Sequence, residues 1–194
     1  MSGPHTIGRW LRDRARATPG RVAIDYLDRQ VTYAELDAAS DAFADSFAGE
    51  GLRRGDRVAT LTGNTPEHVA VLFACAKAGL ILLPLSWRLT APELAFQLDD
   101  AEPSLLLVEE CYEELARRCG RPYRRLEPGP ASAARAPEVD VADGDGLLLI
   151  YTSGTTGKPK GALLTHANCF WTNLSFDLAT GVRGDDVVLQ VLPQ

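Results

Sequence analysis

Residues 151–161 read YTSGTTGKPKG, eleven positions that hold three glycines, four Ser/Thr hydroxyls and two lysines. The composition is that of a polyphosphate cradle. Glycine lets a backbone turn so that several N–H groups point at one anion, hydroxyls add donors, and lysine neutralises charge as a mobile point cation. The chain contains three lysines, and two of them, Lys158 and Lys160, stand here; the rest of its positive charge is written as arginine. A compact, rotatable ammonium suits a phosphate that moves during reaction. A plain turn also uses Gly, Ser, Thr and Pro, but a turn by itself requires neither the lysines nor so many hydroxyls.

The better-known phosphate loops do not match. A Walker loop needs four residues between its glycines and then Gly-Lys-Ser/Thr opening a helix, whereas Gly154 and Gly157 are two residues apart and Lys158 precedes Pro159. The dinucleotide fingerprint G-x-G-x-x-G is absent too. The run YTSGTTGKPKGALLTHAN, residues 151–168, instead closely resembles the signature loop of the adenylate-forming (AMP-binding) superfamily, which includes acyl-CoA synthetases, peptide-synthetase adenylation domains and luciferases. Residues 31–61 and 66–108 also look like the N-terminal part of that family, so the resemblance covers nearly the whole chain, residues 1–194.

The resemblance implies a reaction and a set of residues. Thr152, Ser153, Gly154, Thr155, Thr156, Gly157, Lys158, Lys160 and Gly161 are then the nucleotide-binding residues, with Lys160 catalytic. ATP with Mg²⁺ activates a carboxylic acid as an acyl-adenylate, and a thiol, of coenzyme A or of a carrier protein, displaces AMP. Arg88, in PLSWRLT, matches a position where acyl-CoA synthetase-like members carry Asn-x-Arg-Leu, which favours a fatty-acid–CoA ligase type over a peptide-synthetase domain; the alternative is a structural arginine at a strand end. Family members run several hundred residues further, into an adenine pocket, a metal-binding glutamate and a C-terminal lid domain with its own lysine. The expectation is a truncated N-terminal subdomain whose open sheet edge needs a completing chain or a second copy. A split or catalytically silent nucleotide-binding module is the alternative reading.

Other reactive side chains carry weaker patterns. His166 falls in the first turn of a predicted helix, where capping or solvent exposure is the expectation over acid–base work. His5 and His68 show no partner pattern, and the pairs Asp99-Asp100, Glu109-Glu110 and Glu113-Glu114 read as solvated carboxylates. Cys75, Cys111, Cys119 and Cys169 lack C-x-x-C or ligand spacing, so buried reduced thiols and no metal site are expected.

The elements that must hold the loop follow from periodicity. Thr6 can cap a helix with Ile7, Trp10 and Leu11 on one face; residues 22–27 and the approach to Thr32 suggest a hairpin; Thr32-x-x-Glu35 and Thr90-x-x-Glu93 are capping boxes. Between them, residues 57–62 and 80–85 read as strands around a helix whose stripe is Val69, Leu72, Phe73 and Ala76, and residues 104–108 as another strand. Strands apolar on both faces alternating with helices predict an α/β fold, layered α/β/α around a mostly parallel sheet. Residues 120–146 look like a surface connection; residues 147–151 return to a buried strand, with the loop at its carboxyl end, where parallel sheets place ligand crevices. Thr165 can then cap a helix bearing Ala167, Trp171, Leu174 and Leu178, and residues 187–192 predict one more strand.

With 194 residues and 45% hydrophobic content, one sizeable core is affordable, and a net charge of −6 argues against a nucleic-acid binder. The arginines at positions 9, 12, 14 and 16, and at 117, 118, 121, 124 and 125, are expected on solvated faces. No signal peptide is evident, and apolar stretches such as residues 78–87 fall short of the ~20 residues of a membrane span, so a cytoplasmic protein is expected.

Overall fold

The computed structural model describes residues 5–127, 139–152 and 159–191. Helix α1 (Ile7–Ala17) leads into a hairpin of β1 (Val22–Tyr26) and β2 (Arg29–Thr32). Helix α2 (Tyr33–Gly49) starts in the expected capping box: the Glu35 N–H donates to Thr32 Oγ1 at 3.2 Å, and the Thr32 N–H donates back to Glu35 Oε2 at 2.8 Å. Then β3 (Arg57–Leu61), α3 (Pro66–Ala78), β4 (Ile81–Leu85), α4 (Ala91–Ala101) and β5 (Leu105–Val108) alternate as predicted. A 3-10 turn and α5 (Glu113–Arg118) precede a two-residue strand, β6 (Arg124–Arg125). The chain returns as β7 (Gly146–Thr152), turns back as β8 (Lys160–Thr165) and enters α6 (His166–Thr180).

The central sheet has the order β6-β5-β3-β4-β7-β8. Every pairing is parallel except β7 with β8. Alternate strand residues face opposite layers: Val58, Leu82 and Leu107 pack with α2 and α3, while Ala59, Leu83 and Leu106 pack with α4 and α5. That is the layered α/β/α architecture, and it explains why these strands read as unbroken apolar runs.

Three expectations are corrected. Of the expected α3 stripe Ala76 is buried but Val69, Leu72 and Phe73 are only half-buried, and Ala70, Val71, Ala74 and Cys75 take the core-facing positions. Where α1 crosses α3 there is no room for a larger group: a Cβ on Gly8 would lie 3.0 Å from the Ala76 backbone. Trp10 likewise stays partly exposed, the inward face of α1 being Ile7, Gly8, Leu11 and Ala15. Residues 187–191 form no strand and are exposed; among the described residues no strand lies beside them to complete a ladder. Residue 192, the end of that expected strand, lies outside the described residues.

Within residues 120–146 the chain contributes β6 and the buried Leu126 and Val141. Lys77, which the sequence offered no reason to single out, is buried between α2 and α3. Its Nζ donates to Asp37 Oδ1 at 2.5 Å, Ser40 Oγ at 2.6 Å and Asp41 Oδ1 at 2.7 Å. With Asp37 O also accepting at 3.1 Å, three N–H groups meet four oxygens, which offsets the cost of burying the charge. Among the described residues no helix is long and apolar enough to cross a membrane.

Candidate nucleotide site

The loop lies between the two strands of a hairpin. β7 pairs with β8 in the register Thr152↔Lys160, Tyr151↔Gly161 and Ile150↔Ala162, so Thr152 and Lys160 face each other at its loop end and both are exposed. Ser153, Gly154, Thr155, Thr156, Gly157 and Lys158, the remaining predicted site residues, lie outside the described residues. The antiparallel return strand β8 was not foreseen; it carries Lys160 and Gly161 back along β7, in place of a direct passage from loop to helix. Gly161 has a packing reason for its identity, since a Cβ there would sit 3.0 Å from Leu149 Cδ1 and 3.4 Å from Tyr151 Cζ.

Because β7 is parallel to β4, Thr152 leaves the sheet at the same end as the segments after β3, β4 and β5. That rim is ordered by its own contacts. Glu109 Oε2 accepts the Gly63 N–H at 2.8 Å, and the Glu109 N–H donates to Leu61 O at 3.0 Å, tying the ends of β3 and β5 together. Thr62 Oγ1 hydrogen-bonds His68 Nδ1, and burial pushes the His68 pKa down to about 4, so the ring is neutral near pH 7. Trp87 stacks on Tyr112 at 6.0 Å between centroids, and the exposed Arg88 guanidinium lies 5.1 Å over the Trp87 ring. An aromatic beside an arginine in a strand-end segment was the only sequence signal for this stack.

Tyr151 belongs to the scaffold. Its hydroxyl donates to Asp100 Oδ2 at 2.5 Å, and burial, followed by that carboxylate, raises its pKa. The bond anchors β7 to α4 one residue before the loop begins. Asp100 is therefore not merely solvated, and the other acidic pairs are likewise engaged: Asp99 with Arg121, Glu110 and Glu113 with Arg125, Glu114 with Arg117. Among the described residues no group of three or more His, Cys, Asp or Glu side chains could hold a metal ion. All four cysteines are free, with Cys75 buried and Cys111, against expectation, exposed.

His166 is neither a cap nor solvent-exposed. Thr165 and Asn168 close the cap of α6, while the His166 ring is fully buried and its Nδ1 accepts the Ile7 N–H at 3.1 Å. His166 Nε2 has no hydrogen-bond partner among the described residues, and burial lowers the ring's pKa. His5, for which the sequence suggested no partner, holds Asp143: its Nδ1 lies 2.7 Å from Oδ2 and its N–H donates to Oδ1 at 3.0 Å. These contacts pin the N-terminal segment to the strand that leads into the loop, at the end of the sheet opposite the loop.

The described residues thus put an exposed threonine and an exposed lysine on either side of the loop, at the carboxyl end of a strand that runs parallel to β4. Comparison with known proteins adds to that placement. A family model described as "AMP-binding enzyme" matches residues 11–194. A feruloyl-CoA synthase from Amycolatopsis sp is 37% identical over 190 residues, covering 96% of this chain and 39% of that protein. A 2-succinylbenzoate–CoA ligase from Bacillus cereus is 34% identical over 97% of this chain and 39% of its own length. Among solved structures, o-succinylbenzoate CoA synthetase from Bacillus subtilis with an acyl-adenylate intermediate superposes with a TM-score of 0.79 at 34% identity, over 95% of this chain and 49% of that one. A putative long-chain-fatty-acid CoA ligase from Rhodopseudomonas palustris gives 0.87 at 28% identity, over 97% and 51%. The chain thus spans about two-fifths of the curated relatives it matches.

Proposed function

The chain belongs to the AMP-binding enzyme family, and from that membership we propose that it carries the phosphate-handling part of an ATP-dependent acid–thiol ligase of the acyl-CoA synthetase type. Its substrates are a carboxylic acid, ATP accompanied by Mg²⁺, and the thiol of coenzyme A, with a carrier-protein thiol as the alternative acceptor. A cytoplasmic location belongs to the same reading. The observation that carries it is the hairpin: exposed Thr152 and Lys160 flank the loop at the carboxyl end of the sheet, in a chain aligned over nearly its whole length with CoA ligases.

The chemistry asks for what this loop offers. Bringing a carboxylate to the α-phosphate of ATP joins two anions, so the pyrophosphate end must be held and its growing charge screened as it leaves. Ser153, Thr155 and Thr156, with the backbone amides of Gly154 and Gly157, grip the β- and γ-phosphates. Lys158 neutralises them, and Lys160, opposite Thr152 at the mouth of the hairpin, follows the charge onto the departing pyrophosphate. Mg²⁺ would supply further screening on the phosphate oxygens. The Tyr151–Asp100 bond orients the loop by fixing the strand it leaves.

Acid-stimulated ATP–pyrophosphate exchange tests this, with ferulate and 2-succinylbenzoate, the acids in the relatives' names, as the first substrates. Lys160→Ala is expected to lower exchange by about a hundredfold, the loss typical of one transition-state donor, and Gly154→Ala to lower it by setting a methyl group where the backbone must approach the phosphates. Unchanged exchange in both variants would sink the assignment. A split or silent module completed by another chain, or a self-associating one, is the second reading, favoured by the exposed apolar surface of β8 and α6; it predicts ATP retention without exchange until a partner is added.

A further inference from the structure

In the helix layer that carries α2 and α3, an open cleft of 640 Å³ is bordered by α1, β1, the first turn of α2 and α3, within the size range of small-molecule sites. Its walls are Trp10, Ile24, Tyr33, Leu36, Val69 and Phe73. Two of these, Val69 and Phe73, are the bulky α3 residues that periodicity assigns to the core and the fold leaves half-buried. The small stripe Ala70, Val71, Ala74 and Cys75 packs inward instead, so large apolar side chains line a space open to solvent.

The polar groups at the lip are unequal. Asp13 is engaged on its own helix, 3.6 Å from Arg9 Nε and 4.0 Å from Arg16 Nη1. Arg14 has no carboxylate partner among the described residues; its guanidinium lies 5.8 Å over the Tyr33 ring. An apolar trough ending in an unpaired guanidinium is complementary to a molecule with an apolar body and one anionic head.

We propose that this cleft is a binding site for an amphipathic monocarboxylate, its apolar chain against Trp10, Val69 and Phe73 and its carboxylate accepting hydrogen bonds from Arg14. The site is separate from the hairpin loop and does not depend on the activity proposed above. Trp10 reports on it directly. In a Trp87→Phe/Trp171→Phe background Trp10 is the only tryptophan, and decanoate, titrated below its micellar concentration, is expected to change its fluorescence saturably.

Arg14→Ala, at an exposed position, should weaken decanoate binding about tenfold, the worth of one charge-assisted contact, and leave the weaker binding of uncharged 1-decanol unchanged. Ala23→Leu, which fills the cleft from β1, should remove both, with the unfolding midpoint checked to show that the fold is kept. Lys160→Ala should change neither, which separates this site from any acyl site beside the loop. Absence of a saturable Trp10 signal, or equal decanoate affinity in Arg14→Ala and wild type, overturns the proposal. So does preference for a peptide with a free C-terminal carboxylate that decanoate cannot displace, because that result makes the cleft a protein-docking groove.

Discussion

The strands β3, β4 and β5 and the β8–α6 segment are both rich in leucine and valine or aromatic residues, yet their burial is opposite. Val58, Leu83, Leu107 and Val108 are fully buried between helix layers. Leu163 on β8 is 52% exposed, Trp171 and Leu178 on α6 are 55% and 76% exposed, and in α6 only His166 is fully buried. Apolar periodicity records which residues await a partner surface, and the first region finds that surface between the helix layers whereas the second finds it only at its start, where Cys169 and Phe170 pack on Ile7, Ala76 and Leu147. The two regions therefore differ in what holds them: packing throughout for the first, and for the second the β7 ladder, a helix cap, the His166 contact and the Phe170 ring against His5 and Trp10.

The comparison breaks most readily at Lys77. Lys77→Ala strands the Asp37 and Asp41 carboxylates beside an empty site, and loss of one partner of a buried pair costs about 3–5 kcal/mol. Urea unfolding should show that loss, and a change below about 1 kcal/mol would mean that the cage is open to water. Next is acid. The buried His68 takes up its proton near pH 4 in the folded chain but near pH 6.5 when unfolded. Between those values the unfolded state binds more protons, so stability falls as pH drops from about 6.5 to 4, by about 3 kcal/mol in all. His68→Gln should flatten that part of the stability profile, and an unchanged slope would exclude His68 as its source.

How much of this was legible follows the range of the interactions. The Thr32–Glu35 and Thr90–Glu93 boxes, the β1–β2 hairpin, the parallel strands and the position of the loop after β7 are local or periodic features, and each was readable. The burial of Lys77 depends on α2 residues 36 to 40 positions away, and the Tyr151–Asp100 bond spans 51 positions; neither has a local signature. The α3 stripe was misread at three of its four positions because hydrophobicity ranks Phe73 above Ala74, while the face turned to the core is built of Ala70, Val71, Ala74 and Cys75. At the loop itself, residue types suggested the anion chemistry, but the antiparallel return through β8 is a choice of pairing that the eleven loop residues do not encode. The aromatic stack of Trp87 and Tyr112 escaped notice for the same reason, its partners lying on different strand ends.

Two smaller effects sharpen the comparison within the second region. Thr165 Oγ1 accepts the Asn168 N–H at 3.2 Å, and Asn168 Oδ1 accepts the Thr165 N–H at 3.0 Å. Thr165→Ala should cost about 1 kcal/mol, the usual worth of an N-cap, and amide exchange should quicken in the first turn of α6 while α2 is unaffected. Equal quickening in both helices would mean that the molecule opens as one unit and that the two regions are not separately held.

Phe176→Ser is the most discriminating of the small changes. Phe176 is largely exposed on α6, so its replacement in the isolated chain should move the unfolding free energy by no more than about 0.5 kcal/mol and should raise solubility by removing apolar surface. A loss of 2 kcal/mol or more is the signature of a buried aromatic, and here it would mean that another surface covers α6 in solution. Measuring the same variant over a range of protein concentrations identifies that surface: a cost that grows with concentration comes from a second copy, since only association makes stability depend on protomer concentration. A large cost independent of concentration would place the cover within the chain itself and erase the distinction between the two regions.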